Sequence, residues 1–287
     1  MNLNDPQKLA VTAAETNLLV IAGAGSGKTR VLVERMAFLM REQGLSPHAL
    51  MAVTFTNKAA REMRERLEET LGQSLYMMWV GTFHGLAHRF LRAHWRDAGL
   101  IEQFVILDSD DQQRMIKRIV ADLQLDDAKF KPRAVAGFIN GCKDEGQRPQ
   151  HLQTGRDYYN DTLIRLYAEY DARCKTQNLV DFGELLLRTF ETFRNKSELL
   201  EHYQNRFRHL LIDEFQDTNT IQYAWVRLLA GADTHVMAVG DDDQSIYAWR
   251  GARIDNIHRY ESDFAPVTTI RLEQNYRSTD VILKAAN

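Results

Sequence analysis

Short, mostly apolar runs separated by amphipathic stretches set the rhythm at both ends of this chain. The runs are Asn17 to Ile21, Met51 to Phe55, Trp79 to Thr82, Leu210 to Ile212, His235 to Val239 and Thr268 to Leu272. Continuous apolar runs of this length predict strands buried on both faces, as in a parallel sheet. Between them apolar residues recur every three or four positions: Val31, Leu32, Met36, Leu39 and Met40 after the first run, then Ala59, Ala60, Met63 and Leu67 after the second. That spacing predicts helices laid against the sheet.

From about His84 to Phe207 the strand rhythm stops and helical periodicity replaces it. Within Asp110 to Leu123, for example, Met115, Ile116, Ile119, Val120 and Leu123 share one stripe. The expected architecture is therefore α/β. Residues 1–85 and 208–287 share one parallel sheet flanked by helices, and 86–207 form an inserted all-helical subdomain. Inside the insertion, Lys143, Asp144, Glu145, Gly146, Gln147, Arg148 and Pro149 combine charge with turn formers and are expected to be a mobile connection. Ser278 to Asn287 reads as a helix cut short, so a longer parent protein is expected.

Composition narrows the function classes. With 287 residues, 44% hydrophobic and 26% charged, the chain is globular and large enough for two cores. A formal charge of −3 excludes a globally basic nucleic-acid binder, so any grip on phosphate backbones must come from a local groove. Cys142 and Cys174 lack metal-ligand spacing, which argues for a reduced interior without structural zinc. No basic-then-apolar leader follows Met1, and no apolar stretch approaches the roughly 20 residues that span a bilayer. A cytoplasmic address with no membrane role is expected.

The first apolar run leads into Ala22-Gly23-Ala24-Gly25-Ser26-Gly27-Lys28-Thr29, followed by a periodic helix. Glycines let successive backbone N–H groups turn toward one anion, Lys28 adds a mobile cation, and the Thr29 hydroxyl can ligate Mg²⁺. The strict pattern has Gly at position 22; a small residue serves there because close phosphate approach falls later, at Gly25 and Gly27. This is a nucleoside triphosphate cradle. Leu210-Leu211-Ile212 ends in Asp213-Glu214, a carboxylate pair delivered to the carboxyl edge of the same sheet. Asp213 is suited to hold Mg²⁺ and Glu214 to orient and deprotonate an attacking water. Gln244 opens a loop after another strand, where its amide can sense a γ-phosphate or simply bond within a turn. Arg277 offers a guanidinium for charge developing on that phosphate, or a surface salt bridge.

Five ordered blocks carry a family resemblance: Ala52-Val53-Thr54-Phe55-Thr56-Asn57-Lys58-Ala59-Ala60; Gly81-Thr82-Phe83-His84-Gly85-Leu86; Asp213-Glu214-Phe215-Gln216-Asp217-Thr218; Val239 to Gly251; and Arg271 to Thr279. Together the chain resembles the UvrD/Rep/PcrA helicases of superfamily 1. The resemblance implies a RecA-like motor domain using ATP and Mg²⁺, with a second RecA-like domain lying outside this chain. It also implies 3′ to 5′ stepping on single-stranded DNA, unwinding of partly duplex DNA and a role in repair, with repair-protein partners. By resemblance Gln244 senses the γ-phosphate, Arg277 is an arginine finger, Tyr276 and Arg30 sandwich the adenine, and Gln7 reads its edge. Phe55, Tyr247 and Trp249 supply aromatic faces for bases; Thr56, Asn57, Thr82 and His84 donate to the strand, and Arg250 links strand and nucleotide. The helix His88 to Arg96 either lines the path into the insertion or covers a buried Phe90, Leu91 and Trp95. Rival expectations are the helicase subunit of a recombination nuclease and a non-motor P-loop module.

Overall fold

The computed structural model describes residues 3–23, 25–155, 157–241 and 255–274. The N-terminal part alternates helix and strand: α1 (Asp5–Thr12), β1 (Asn17–Ala22), α2 (Lys28–Arg41), β2 (Leu50–Thr54), α3 (Asn57–Leu71) and β3 (Trp79–Thr82). Next come α4 (Phe83–Ala93), β4 (Val105–Leu107), α5 (Ser109–Asp122), α6 (Pro132–Asp144), α7 (Tyr158–Gln177), β5 (Leu179–Asp181), α8 (Phe182–Asn195) and α9 (Ser197–Arg206). Alternation then resumes with β6 (His209–Ile212), α10 (Thr220–Leu229), β7 (His235–Gly240), α11 (Asp255–Asp263) and β8 (Val267–Leu272).

The chain divides into two compact units: residues 1–86, 197–218 and 225–287 in one, residues 87–196 and 219–224 in the other. The first holds a six-stranded sheet in the order β3-β2-β6-β7-β1-β8, parallel at every pairing. All five positions of β2 and all four of β6 are buried, which is why Leu50 to Val53 and Leu210 to Ile212 run continuously apolar in sequence. Val20, Val31, Leu32, Met36, Leu39, Met63, Leu67 and Met237 join one core cluster between sheet and helices. Fully burying side chains of this size contributes about 1.5–3 kcal/mol each. Chain-distant strands are locked laterally by Asn17, whose side chain accepts from Val236 N (2.7 Å) and donates to Phe264 O (2.7 Å).

The sheet unit resumes earlier than residue 208. α9 already belongs to it, because Tyr203 and Phe207 pack edge-on against Trp79 at 5.6 and 5.4 Å. Its buried residue is Tyr203 alone, too little apolar periodicity to distinguish it from the insertion's helices by sequence.

His209 starts β6 with 3% exposure, its ring 5.2 Å from that of His235. Burial, with Arg35, His235 and Arg208 nearby, holds its pKa down at about 3. Unfolded histidine takes its proton near pH 6.5, so His209 favours folding fully above that value and progressively less as pH falls toward 3. His209→Gln is expected to flatten the acid limb of the stability curve. Between pH 6.5 and 4 the wild-type chain should lose up to about 1.4 kcal/mol per pH unit relative to the variant. Urea unfolding across that range measures this, and parallel curves for the two proteins would contradict it.

The second unit is not wholly helical. β4 and β5 form a two-stranded parallel ladder, pairing Val105 with Leu179 and Leu107 with Asp181. Three-residue strands are too short to announce themselves by periodicity. Its core gathers Ile116, Ile119, Val120, Phe130, Ile139, Leu166, Tyr167 and Tyr170. Cys142 and Cys174 are buried free thiols, burial pushing their pKa values up to about 11 and 12.

The stretch from Lys143 to Pro149, expected to be mobile, is instead an anchored corner. Lys143 and Arg148 are 1% and 4% exposed. Lys143 Nζ lies 2.7 Å from Asp181 Oδ2 and 3.1 Å from Glu184 Oε2. Arg148 forks onto Glu184 at 2.7 and 2.9 Å and onto Glu191 at 2.9 and 2.6 Å, and also reaches Asp171 at 3.2 Å. Arg188 adds a further contact to Glu184 (2.6 Å), Lys175 one to Asp171 (2.7 Å), and the Tyr170 hydroxyl one to Asp181 (2.7 Å). The cations hold the Glu184 carboxyl well below the usual carboxylate range despite its burial. Only Gly146, at φ +74°, has the backbone character that the turn signals suggested.

Candidate functional site

The cradle follows β1 in the sheet unit. Ser26 closes a tight turn on Gly23, its N–H and hydroxyl both donating to the Gly23 carbonyl (3.2 and 2.7 Å). Gly25 and Gly27 adopt φ +74° and +91°, left-handed values that favour glycine. Gly27 caps α2 from that conformation, and a Cβ there would lie 2.9 Å from Gln7 Nε2. The orphan N–H groups of the first turn of α2 thus open beside the loop. Lys28 is the first residue of that turn, with Thr29 and Arg30, both half-buried, behind it. Ala22 is fully buried at the end of β1, where the strict pattern has glycine.

Across the sheet edge, β6 ends in Asp213, which continues the ladder through its N–H to Val53 O (2.8 Å). Asp213 is 6% exposed, and burial beside Glu214 raises its carboxyl to about 7. Glu214 takes φ +50°, a left-handed conformation costing a non-glycine residue on the order of 1–3 kcal/mol. The turn brings its carboxylate back toward the cradle, placing Oε2 3.2 Å from Lys28 Nζ. The Lys28 side chain is 10% exposed and that of Glu214 35%. Residues separated by 186 positions therefore meet at one point on the carboxyl edge, where open α/β sheets bind ligands.

Three residues of this neighbourhood escaped the sequence analysis in part or whole. Gln7, read as a base-edge contact, is 1% exposed; its Oε1 accepts from Asn4 N (3.2 Å) and its Nε2 donates to Ser26 O (2.8 Å). It ties α1 to the cradle, keeping one amide donor and one lone pair for other partners. Asp217 lies 7% exposed with Oδ1 unbonded among the described residues, its carboxyl raised to about 6 by burial and by Glu214. Arg35 is buried on α2 and donates to the carbonyls of Ala10, Val11 and Ala13, terminating α1. No spacing rule signals a buried arginine inside an amphipathic helix.

The sequence profile of the UvrD/REP helicase N-terminal domain matches residues 3–265. The chain belongs to the UvrD/REP helicase family. Its full length is 57% identical to DNA helicase II of Escherichia coli strain K12 over 286 residues, and 99% of it is 52% identical to DNA helicase II of Haemophilus influenzae. Against the ATP-dependent DNA helicase PcrA of Staphylococcus aureus the whole chain is 43% identical. It spans about two fifths of these relatives, 40%, 40% and 39% of their lengths.

In this UvrD/REP helicase domain a second group of predicted residues gathers at the ends of β2 and β3, which pair Thr54 with Thr82. Thr56 caps α3, accepting from Ala59 N (3.1 Å), and Thr82 accepts from Gly85 N (3.1 Å) at the start of α4. Asn57 Oδ1 lies 3.5 Å from the Thr82 hydroxyl. Thr56 and Asn57 are exposed, whereas Phe55, Thr82 and His84 are half-buried, burial lowering the His84 pKa. The capping explains the threonines locally; the Thr82 hydroxyl donates to Asn57 Oδ1, and Thr56 keeps its hydroxyl proton for another acceptor. Phe90 and Leu91 are buried, and Arg92 stacks over Phe104 at 3.9 Å, so the His88 to Arg96 stretch has a solvated basic face over an apolar floor. Ala24, Gln244, Tyr247, Trp249, Arg250, Tyr276 and Arg277 lie outside the described residues. Among the described residues no helix is long and apolar enough to cross a membrane, and no cluster of three or more His, Cys, Asp or Glu forms a metal site.

Proposed function

We propose that this chain is the ATP-binding lobe of a DNA motor that steps 3′ to 5′ along a single strand and unwinds duplex DNA in repair. Its parent would work in the cytoplasm with repair proteins, and a second RecA-like lobe, beyond this chain, would complete the nucleotide site. The unit of residues 1–86, 197–218 and 225–287 makes the motor domain, and the unit of 87–196 and 219–224 the insertion. The Lys28–Glu214 contact beside the glycine turn carries this reading, because it joins a phosphate-binding cation to a general-base carboxylate on one sheet edge. Gly23, Gly25, Ser26 and Gly27 wrap the β-phosphate with backbone N–H groups, and Lys28 leaves Glu214 to follow the γ-phosphate. Glu214, so released, accepts a proton from the attacking water.

The donors fit Mg²⁺. Asp213 is a buried carboxyl that makes no ion pair among the described residues, Thr29 adds a hydroxyl, and a hard octahedral ion that keeps most of its waters needs only one or two protein oxygens. When bound, Mg²⁺ supplies neutralisation of charge on the β- and γ-phosphates. Gln244 senses the γ-phosphate, Arg277 stabilises its transition-state charge, and Arg30, Tyr276 and Gln7 hold the adenine. Phe55, Tyr247 and Trp249 stack bases, each worth about 1–3 kcal/mol without regard to sequence. Thr56, Asn57, Thr82, His84 and Arg250 hold the backbone. Closure on nucleotide at one end of the edge then alters grip on DNA at the other.

Phosphate release by the complete protein, with and without single-stranded DNA, tests this. Stimulation by DNA is the expected result. A rate indifferent to DNA would indicate a non-motor nucleotide-binding module, and stimulation by RNA alone would remove the DNA assignment.

A further inference from the structure

Gln216 occupies the short turn Phe215–Asp217 after β6, with 1% exposure. Both ends of its amide are committed. Nε2 donates to Glu214 Oε2 at 2.8 Å, and Oε1 accepts from Asp241 N, at the end of β7, at 3.1 Å. Chemistry decides the amide orientation: the flipped form would set an oxygen against a carboxylate and a donor against an N–H. The neighbouring β7 residue is Gly240, where a Cβ would lie 2.8 Å from Gln216 Oε1. Side-chain-free backbone is thus present where the amide crosses between strands.

We propose that Gln216 is a positioning residue, fixing the Glu214 carboxylate for hydrolysis and tying it to the end of β7. The inference rests on the proposed role of Glu214 as general base. Glu214 has two donors on the same oxygen, Lys28 at 3.2 Å and Gln216 at 2.8 Å. An incoming triphosphate competes for Lys28, which is cationic; it has no comparable pull on a neutral, buried amide. Gln216 is then the donor that keeps a carboxylate on a strained backbone from swinging away, and misplacement by about 1 Å costs on the order of 10²-fold in rate. A buried amide with a merely structural role would, when lost, weaken folding, nucleotide binding and turnover together.

The test uses the complete protein with Gln216→Ala, Gly240→Ala and the double substitution, and Glu214→Gln as reference. Readouts are kcat and KM for DNA-stimulated hydrolysis, equilibrium binding of a fluorescent non-hydrolysable ATP analogue, and thermal melting. Gln216→Ala is expected to lower kcat roughly 10- to 100-fold while KM and analogue binding stay within about threefold. Gly240→Ala should act in the same direction by displacing an intact amide, so it serves as the probe if Gln216→Ala does not fold. The double variant should be no slower than Gln216→Ala, because the clash partner is gone. An unchanged kcat in Gln216→Ala alongside an inactive Glu214→Gln would overturn the positioning role alone. Loss of analogue binding in proportion to kcat would likewise overturn it. Wild-type turnover by Glu214→Gln would overturn the general-base assignment and the inference with it.

Discussion

Lys28→Ala is expected to lower ATP hydrolysis by the complete protein roughly 10³-fold, the scale of losing a preorganised charge at a transferring phosphoryl group, and to leave the fold unchanged. The loop does not need the ammonium for its shape. Its turn is closed by Ser26 on Gly23 and tied down by Gln7 on Ser26. Glu214, the partner Lys28 leaves behind, is partly exposed and keeps Gln216 as a donor, so no buried charge is stranded. Phosphate release and a circular-dichroism melt on one preparation separate the effects. Near-wild-type turnover would remove Lys28 from the chemistry, and a melting point lowered by many degrees would make its role structural.

The second large effect is on stability. Arg148→Ala should destabilise the second unit by about 3–5 kcal/mol, because it strips the guanidinium from three carboxylates, Glu184, Glu191 and Asp171, at least one of which is almost wholly buried. Lys143 and Arg188 still face Glu184, which limits the loss, whereas Glu191 keeps no other ion pair among those described. Native-state hydrogen exchange read along α7 and α8 locates the loss, and denaturant unfolding gives its size. A change below about 1 kcal/mol would mean that the carboxylates recover their partners from solvent or from neighbouring cations.

Much of the sheet is legible in the amino-acid sequence. Runs such as Leu210 to Ile212 are uniformly apolar because both faces are covered, and the glycines at 25 and 27 carry the φ values a phosphate loop demands. What misled was local chemistry read without its partners. Charge and glycine between Lys143 and Pro149 look like a solvated loop until Glu184 and Asp181, some forty positions on, supply the counter-ions. The resemblance assigns Gln7 to the adenine edge, and only the fold shows that it also ties α1 to the cradle through Ser26.

Residue types and their order along the chain determined the strands, the phosphate cradle and the pair of carboxylates awaiting it, since each depends on neighbours within a few positions. Only tertiary structure decided that Lys28 and Gln216 share one oxygen of Glu214, that Gln216 reaches from there to the end of β7, and that a corner rich in charge is anchored by ion pairs. Those outcomes turn on groups brought together by strand order and on burial, which raises the strength of every charge left inside; neither is written in local sequence.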